Sequence, residues 1–327
     1  MGFNTRPSEQ RLLTILERQT PQKWGADYVP STMSTREEAP SSSRTSLLQS
    51  RCHGRALHAL SPGERDLLIY ALYHPSVFDV HEQRMLSTTP RRHPLDDHPT
   101  LPPEIRPSLR GTVAVAEALG VLDVHPTVLC HPDGDTHRPR SRVPFPLLGD
   151  ILVFFNDGDG AAAVNWTIKN THEAFERPSF GSRRHRSSAK GIEDERARHA
   201  IESVYYQDAG IATVRLTPAD WDHSLQENLR QLFLWHDSSH SVPADQLQHI
   251  ISHFQSAVGT RFRPIEIAIQ IAARFSLLLY EVKVVLHQAI WSRALRINLF
   301  EPFLMDHPLL PEVQDPVKKY ASWFRRG

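Results

Sequence analysis

Cysteine is nearly missing from this chain. Cys52 and Cys130 are the two among 327 residues, too few for a disulfide framework, which points to a reducing compartment. Net charge is missing as well: Lys+Arg 37 balance Asp+Glu 37. With 40% hydrophobic residues, that balance excludes a disordered polyelectrolyte. It also leaves no whole-chain positive field of the kind that announces a nucleic-acid binder, although local basic surfaces stay open. Long apolar runs are absent too. The most apolar stretch, 265–286, is interrupted by Glu266, Arg274, Glu281 and Lys283, whereas a membrane span needs about 18 or more uninterrupted residues. The opening MGFNTRPSEQRLLTILERQT has no apolar core of a secretion signal. No glycine-rich cradle ends in Gly-Lys-Ser/Thr and no Gly-x-Ser-x-Gly elbow occurs, which argues against ATP use and serine hydrolysis. The expectation is a soluble, cytoplasmic protein.

What is present falls into three segments. Residues 1–60 read as a flexible N-terminal arm, because Thr20 to Arg44 holds prolines and a Ser/Thr-rich run with little apolar material. Leu12, Leu13 and Leu16 lie on one face of a short helix before it. Residues 61–217 read as a mixed α/β core. Ser61-Pro62-Gly63-Glu64 is a helix start, with a hydroxyl cap, proline at the first helical position and a carboxylate three residues after the cap. Val77 to Val80 begins a strand, 87–104 is a loop, and Ser108 to Leu119 is a modest helix. Leu147 to Phe155 is a buried strand, Asn156-Asp157-Gly158-Asp159-Gly160 a turn, and Ala163 to Lys169 the antiparallel return. Ile192 to Tyr206 reads as a helix and Gly210 to Leu216 as a further strand. Residues 218–327 read as a mostly helical second domain, with Leu277–Ile290 ambiguous between helix and strand and Arg293–Phe300 alternating like one strand of a small wing.

Period-two geometry puts Asn165, Thr167 and Lys169 on one face of their strand. Asp150 stands at the mouth of the preceding strand. A surface Asp–Lys pair is the plain reading. The chemical reading joins Asp150 to Glu64 on the first helix as hard oxygen ligands for Mg²⁺, with Lys169 near an attacking water. A basic run, Arg183, Arg184, Arg186 and Lys190, follows the Lys169 strand and is a candidate for phosphate contacts; Arg293, Arg296, Lys318 and Lys319 form a weaker second patch. The adjacent pairs Cys52-His53 and Cys130-His131 lack zinc-ligand spacing, and Asp133-Gly134-Asp135 and Asp157-Gly158-Asp159 read as turns rather than calcium loops.

SPGERDLLIYALYHPSVFDVHEQRML (61–86), LGDILVFFNDG (148–158), VNWTIK (164–169) and IEDERARHAIESVYYQDAGIATVRLT (192–217) together resemble TnsA, the endonuclease subunit of heteromeric transposases. The resemblance covers about residues 55–217, and more loosely the C-terminal segment. It implies a restriction-endonuclease-like core whose mixed sheet is flanked by helices, followed by a winged-helix-like helical domain. It implies a Mg²⁺-dependent endonuclease, with Mn²⁺ as a substitute, that cuts the 5′ strands at transposon ends. It further implies an integrase-type transposase and an AAA+ regulator as partners, in a bacterial cytoplasm and at the nucleoid when acting. Glu64, Asp150 and Lys169 match the family's catalytic residues. Gln83 falls in a supporting stretch, and the Ile168 carbonyl is a candidate additional metal ligand. The sequence departs from the family at two positions. Thr167 stands where the family has Gln or Glu, and Gly149 stands before Asp150 where related nucleases often place proline. A carboxylate from Glu193 or Glu195 is one candidate to fill the gap at Thr167. The alternatives are a docking subunit that kept the fold without full activity, and an unrelated repair nuclease with the same core.

Overall fold

The computed structural model describes residues 7–41, 43–50, 53–102, 104–131, 139–176 and 188–327. The chain divides into two compact units. One is built from Met1–Leu68, Ser76–Ala219 and Trp323–Gly327, the other from Ile69–Pro75 and Asp220–Ser322.

In the larger unit, helix α1 (Glu9–Gln19) precedes a hairpin of β1 (Ser46–Ser50) and β2 (Arg55–Ala59). Helix α2 (Pro62–Tyr73) leads to β3 (Val77–Glu82) and β4 (Met85–Leu86). After α3 (Thr112–Ala118) come β5 (Thr127–Cys130), β6 (Ser141–Pro144), β7 (Leu147–Leu148), β8 (Ile151–Asp157) and β9 (Gly160–Ile168). Helix α4 (Ala189–Gln207) and β10 (Ala212–Leu216) complete the unit. The central sheet runs β10-β9-β8-β3. β8 is antiparallel to both neighbours and β9 is parallel to β10, so the sheet is mixed and the unit is α/β.

Sequence chemistry explains these elements locally. At the start of α2, Ser61 Oγ accepts from the Glu64 amide (3.2 Å) and the Glu64 carboxylate accepts from the Leu60 amide (2.9 Å), which satisfies exposed first-turn donors reciprocally. The β8–β9 turn closes at the Asp157–Gly160 pair. Gly160 adopts φ 111° there, and Asp157 Oδ1 accepts from the Asp159 amide at 2.9 Å. The strand expected over 147–155 is broken in two, since Leu147 and Leu148 pair with β4 while β8 pairs with β3.

Both faces of the sheet are covered, as a continuous apolar strand requires. Leu152, Phe154 and Ala163 join Ile201, Tyr205 and Tyr206 of α4 in one cluster that also takes in Leu86, Leu95, Leu109, Val115 and Ala116. On the opposite face the Trp166 indole donates to the Trp323 carbonyl at 3.0 Å, and Phe155 and Trp166 meet Phe324 edge-on. The first turn of α2 lies over the end of β9, where a Cβ on Gly63 would stand 3.3 Å from Ile168 Cγ2.

The described part of the expected flexible arm belongs to this unit. Leu12 and Ile15 of α1 are buried with Met85, Val128, Cys130 and Phe145. Its polar groups are satisfied by side chains: Arg18 makes a two-pronged pair with Glu38 at 2.6 and 2.7 Å, and Gln19 donates to the Val29 carbonyl at 2.7 Å. Burial of a few well-placed apolar residues plus these bonds offsets the ordering cost that composition alone suggested would prevail.

The smaller unit contains α5 (His223–Phe233), α6 (Ala244–Ala257), α7 (Pro264–Phe275), α8 (Leu279–Trp291) and the short α9 (Pro316–Lys319). The segment with three valines is the helix α8, and Val282, Val284, Val285, Leu286 and Ile290 are all buried. Arg293–Phe300 is not a strand. Its alternation is real, with Leu295, Ile297 and Leu299 buried, but Ile297 makes only an isolated bridge to Pro311. Of the weaker basic patch, Arg293 and Arg296 both pair with Asp315, at 2.8 and 3.0 Å. No helix among the described residues is long and apolar enough to cross a membrane.

Candidate active site

Three elements of the larger unit bring the sequence candidates together. Glu64 sits in the first turn of α2, Asp150 immediately before β8, and Lys169 immediately after β9. Burial raises the Glu64 pKa well above the carboxylate range, and the nearby Asp150 charge raises it further. Burial also raises the pKa of Asp150; Lys169 opposes that rise and Glu202 adds to it.

Each acid is held by specific donors. Glu64, 8% exposed, accepts from the Leu60 amide, the Ser61 hydroxyl (3.0 Å) and Gln83 Nε2 (3.0 Å). Gln83 reaches it from a corner between β3 and β4 where its φ is +49°, a left-handed conformation uncommon for a residue with a side chain. Its amide donates to the Asp150 carbonyl at 2.8 Å, so one residue fixes both acids. Asp150 Oδ2 accepts from the Ile168 amide at 2.7 Å. It is thus the N–H of Ile168 that the structure ties to the acid.

Lys169, whose charge lowers the pKa of Asp150, also has a partner on α4. Lys169 Nζ lies 3.7 Å from Glu195 Oε1 on α4. Glu195 in turn stands 3.5 Å from His199 Nε2, and His199 Nδ1 stands 3.8 Å from Glu202 Oε2. Burial lowers the His199 pKa, but the two flanking glutamates outweigh it and the net shift is upward. Burial would raise Glu195, yet His199 and Lys169 bring it below its ordinary value.

The face assigned to Asn165, Thr167 and Lys169 is the face α4 covers. Thr167 Oγ donates to Glu202 Oε1 at 3.1 Å and Asn165 Nδ2 donates to the same oxygen at 2.9 Å. Of the two glutamates named to replace the missing acid at 167, Glu195 faces Lys169, while Glu193 is exposed. Glu202 and His199 escaped the sequence reading. The signal that points to them is their helical spacing from Glu195, at i+4 and i+7, on the one face of α4 that the sheet buries.

Arg183, Arg184 and Arg186 lie outside the described residues, as do Cys52 and the Asp133–Asp135 turn. Lys190 is exposed in the first turn of α4. Cys130 is a free thiol inside the apolar cluster under α1, a core position.

The chemistry of the donors fits a divalent cation. Glu64 and Asp150 offer hard carboxylate oxygens, and burial raises the pKa of both, so that each gives up its proton less readily than an exposed acid. Among the described residues no three His, Cys, Asp or Glu side chains form a ready-made ligand group. The two acids alone are fewer than such a group needs. Compared with known proteins, the chain matches no protein-family model and no curated protein.

Proposed function

We propose that this chain is a Mg²⁺-dependent DNA endonuclease subunit of the heteromeric-transposase type, hydrolysing the 5′-strand phosphodiester at transposon ends. One observation carries the reading. Glu64, Asp150 and Lys169, drawn from α2 and from the ends of two strands, share one electrostatic neighbourhood in which Asp150 raises the proton affinity of Glu64 and Lys169 lowers that of Asp150. Such a combination suits phosphoryl chemistry better than structural support.

In this reading Glu64 and Asp150, with the Ile168 carbonyl, would hold Mg²⁺, which would supply polarisation of the phosphodiester and a lower pKa for water. Gln83 keeps the Glu64 carboxylate turned toward Asp150. The Ile168 amide occupies one Asp150 oxygen and leaves the other for the cation. Lys169 orients the attacking water and neutralises charge that develops on the phosphate. Water attacks phosphorus, the bond to the 3′ oxygen breaks, and the products carry 5′-phosphate and 3′-hydroxyl ends.

The mixed sheet covered on both faces is compatible in class with a restriction-endonuclease-like core. The helical unit would serve as the winged-helix-like module that meets an integrase-type transposase and an AAA+ regulator. The test joins this chain to its transposase partner on labelled transposon-end DNA. Asp150→Ala and Lys169→Ala should abolish 5′-strand cuts while DNA binding persists; unchanged cutting in both rejects the assignment. A second reading, a docking subunit without cleavage, draws on Thr167, whose neutral hydroxyl brings no charge to the site. A Mn²⁺ soak separates the two, since an ion on both Glu64 and Asp150 favours cleavage and an unfilled pair of accessible carboxylates favours docking.

A further inference from the structure

Glu202 is the buried acid that the pair Glu64–Asp150 leaves out. Its Oε1 takes two hydrogen bonds from β9, one from Thr167 and one from Asn165. The same oxygen lies beside the backbone that carries Asp150: a Cβ placed on Gly149 would stand 3.6 Å from Glu202 Oε1, 3.6 Å from Asn165 Oδ1 and 3.3 Å from Leu86 Cδ1. That space is already at van der Waals contact with a bare Cβ. A proline ring would extend further toward these groups and would also remove the Gly149 N–H that donates to the Arg84 carbonyl at 2.9 Å. Asn165 Oδ1 is itself a buried acceptor with no protein donor. It marks an unfinished polar pocket at the same spot.

We infer that Glu202 supplies the third carboxylate of the cation site, in place of the acid absent at Thr167, held from β9 by Thr167 and Asn165 and given room beside Asp150 by Gly149. This deepens the nuclease reading and rests on it. The two positions at which the chain departs from the TnsA pattern, Thr167 and Gly149, then have a single cause. A short hydroxyl on the strand can donate to an acid arriving from α4, which a carboxylate at that position could not do. The glycine keeps the backbone that carries Asp150 free of a side chain facing this acid. The second glutamate oxygen lies 3.8 Å from His199 Nδ1 and would turn away from that imidazole to reach an ion. Since no three acids are grouped among the described residues, binding would draw Glu202 and the pair together by side-chain rotation.

The test measures Mn²⁺ affinity of the full chain by calorimetry and by the loss of free-ion paramagnetic signal, with no DNA present. Glu202→Gln, which keeps the acceptor for Thr167 and Asn165, should weaken binding by about tenfold or more. Thr167→Val should weaken it by a smaller factor, because the acid loses a donor and is less well placed. The exchange Thr167→Glu with Glu202→Gln, which returns the acid to the strand, should recover most of the lost affinity. Circular dichroism confirms that each variant is folded. If Glu202→Gln and Thr167→Val bind Mn²⁺ as the parent does while Asp150→Asn does not, the role of Glu202 is overturned and the two-acid site stands. If the parent chain binds no Mn²⁺, the nuclease reading falls and this inference falls with it.

Discussion

Two sets of buried carboxylates, on either side of Gln83, are treated in opposite ways. Glu82, at the end of β3, is fully buried and receives both Arg55 guanidinium nitrogens, at 2.6 and 2.9 Å, with the His58 amide as a third donor. Arg55 donates further to the Val80 and Gly25 carbonyls. Every charge there has its counter-charge and every donor a target. Glu64 and Asp150, joined to Glu82 through its neighbour Gln83, have hydrogen-bond donors, and both are held above the usual carboxylate range. The first arrangement is what a protein does when an ion pair has only to sit in a core. The second makes ionisation of the acids costly, as the proposed cation site would require.

The comparison breaks most sharply if Arg55 is removed. Arg55→Met leaves Glu82 buried without a partner and should destabilise the larger unit by about 3–5 kcal/mol, read from urea unfolding; a loss under about 1 kcal/mol would remove the contrast. Next in size is the cation itself. Mn²⁺ at about 100 times its dissociation constant should stabilise the parent by about 2.7 kcal/mol, seen as a higher melting temperature that Asp150→Asn does not share.

Without metal, Asp150→Asn should do the reverse of a normal active-site lesion and stabilise. Its folded pKa is raised, so across the window from its unfolded value of roughly 4 up to its folded value the native state binds more protons than the unfolded one. The parent therefore loses stability as pH rises through that window. The variant, which cannot ionise there, should gain on the order of 1–2 kcal/mol at pH 8 and almost nothing at pH 4; a pH-independent difference would refute the charge argument. The smallest effect belongs to the surface. Arg326→Ala removes a two-pronged contact to Asp157, 2.8 and 2.7 Å long, between partly exposed groups. It should cost less than about 1 kcal/mol and fade with salt.

The elements legible in the sequence are those whose signals are local. Ser61, Pro62 and Glu64 wrote the start of α2, and Asn156 to Gly160 wrote the β8–β9 turn, because caps and turns are satisfied by near neighbours. Lys169, Thr167 and Asn165 were placed on one face by strand period alone. What was not legible depends on distant chain. Leu12 and Ile15 gain their burial from Met85, Val128 and Phe145, so composition within the first 60 residues could not reveal it. The valines of α8 favour a strand by propensity, yet burial on a helix decides. Glu202 meets Thr167 across 35 residues, after a crossover that sets β10 parallel to β9, and no spacing rule announces such a meeting.

Helix α2 begins in one unit and finishes in the other, since the division falls between Leu68 and Ile69. Tyr70, near its end, donates its hydroxyl to the Pro316 carbonyl within the helical unit, and Trp323, beyond that unit, caps the Trp166 indole in the larger one. Neither unit is therefore a contiguous stretch of gene. A cut at residue 219 would strip the sheet of its last aromatic cover and the helices of their first tyrosines, leaving two incomplete fragments where a domain diagram would draw two whole ones.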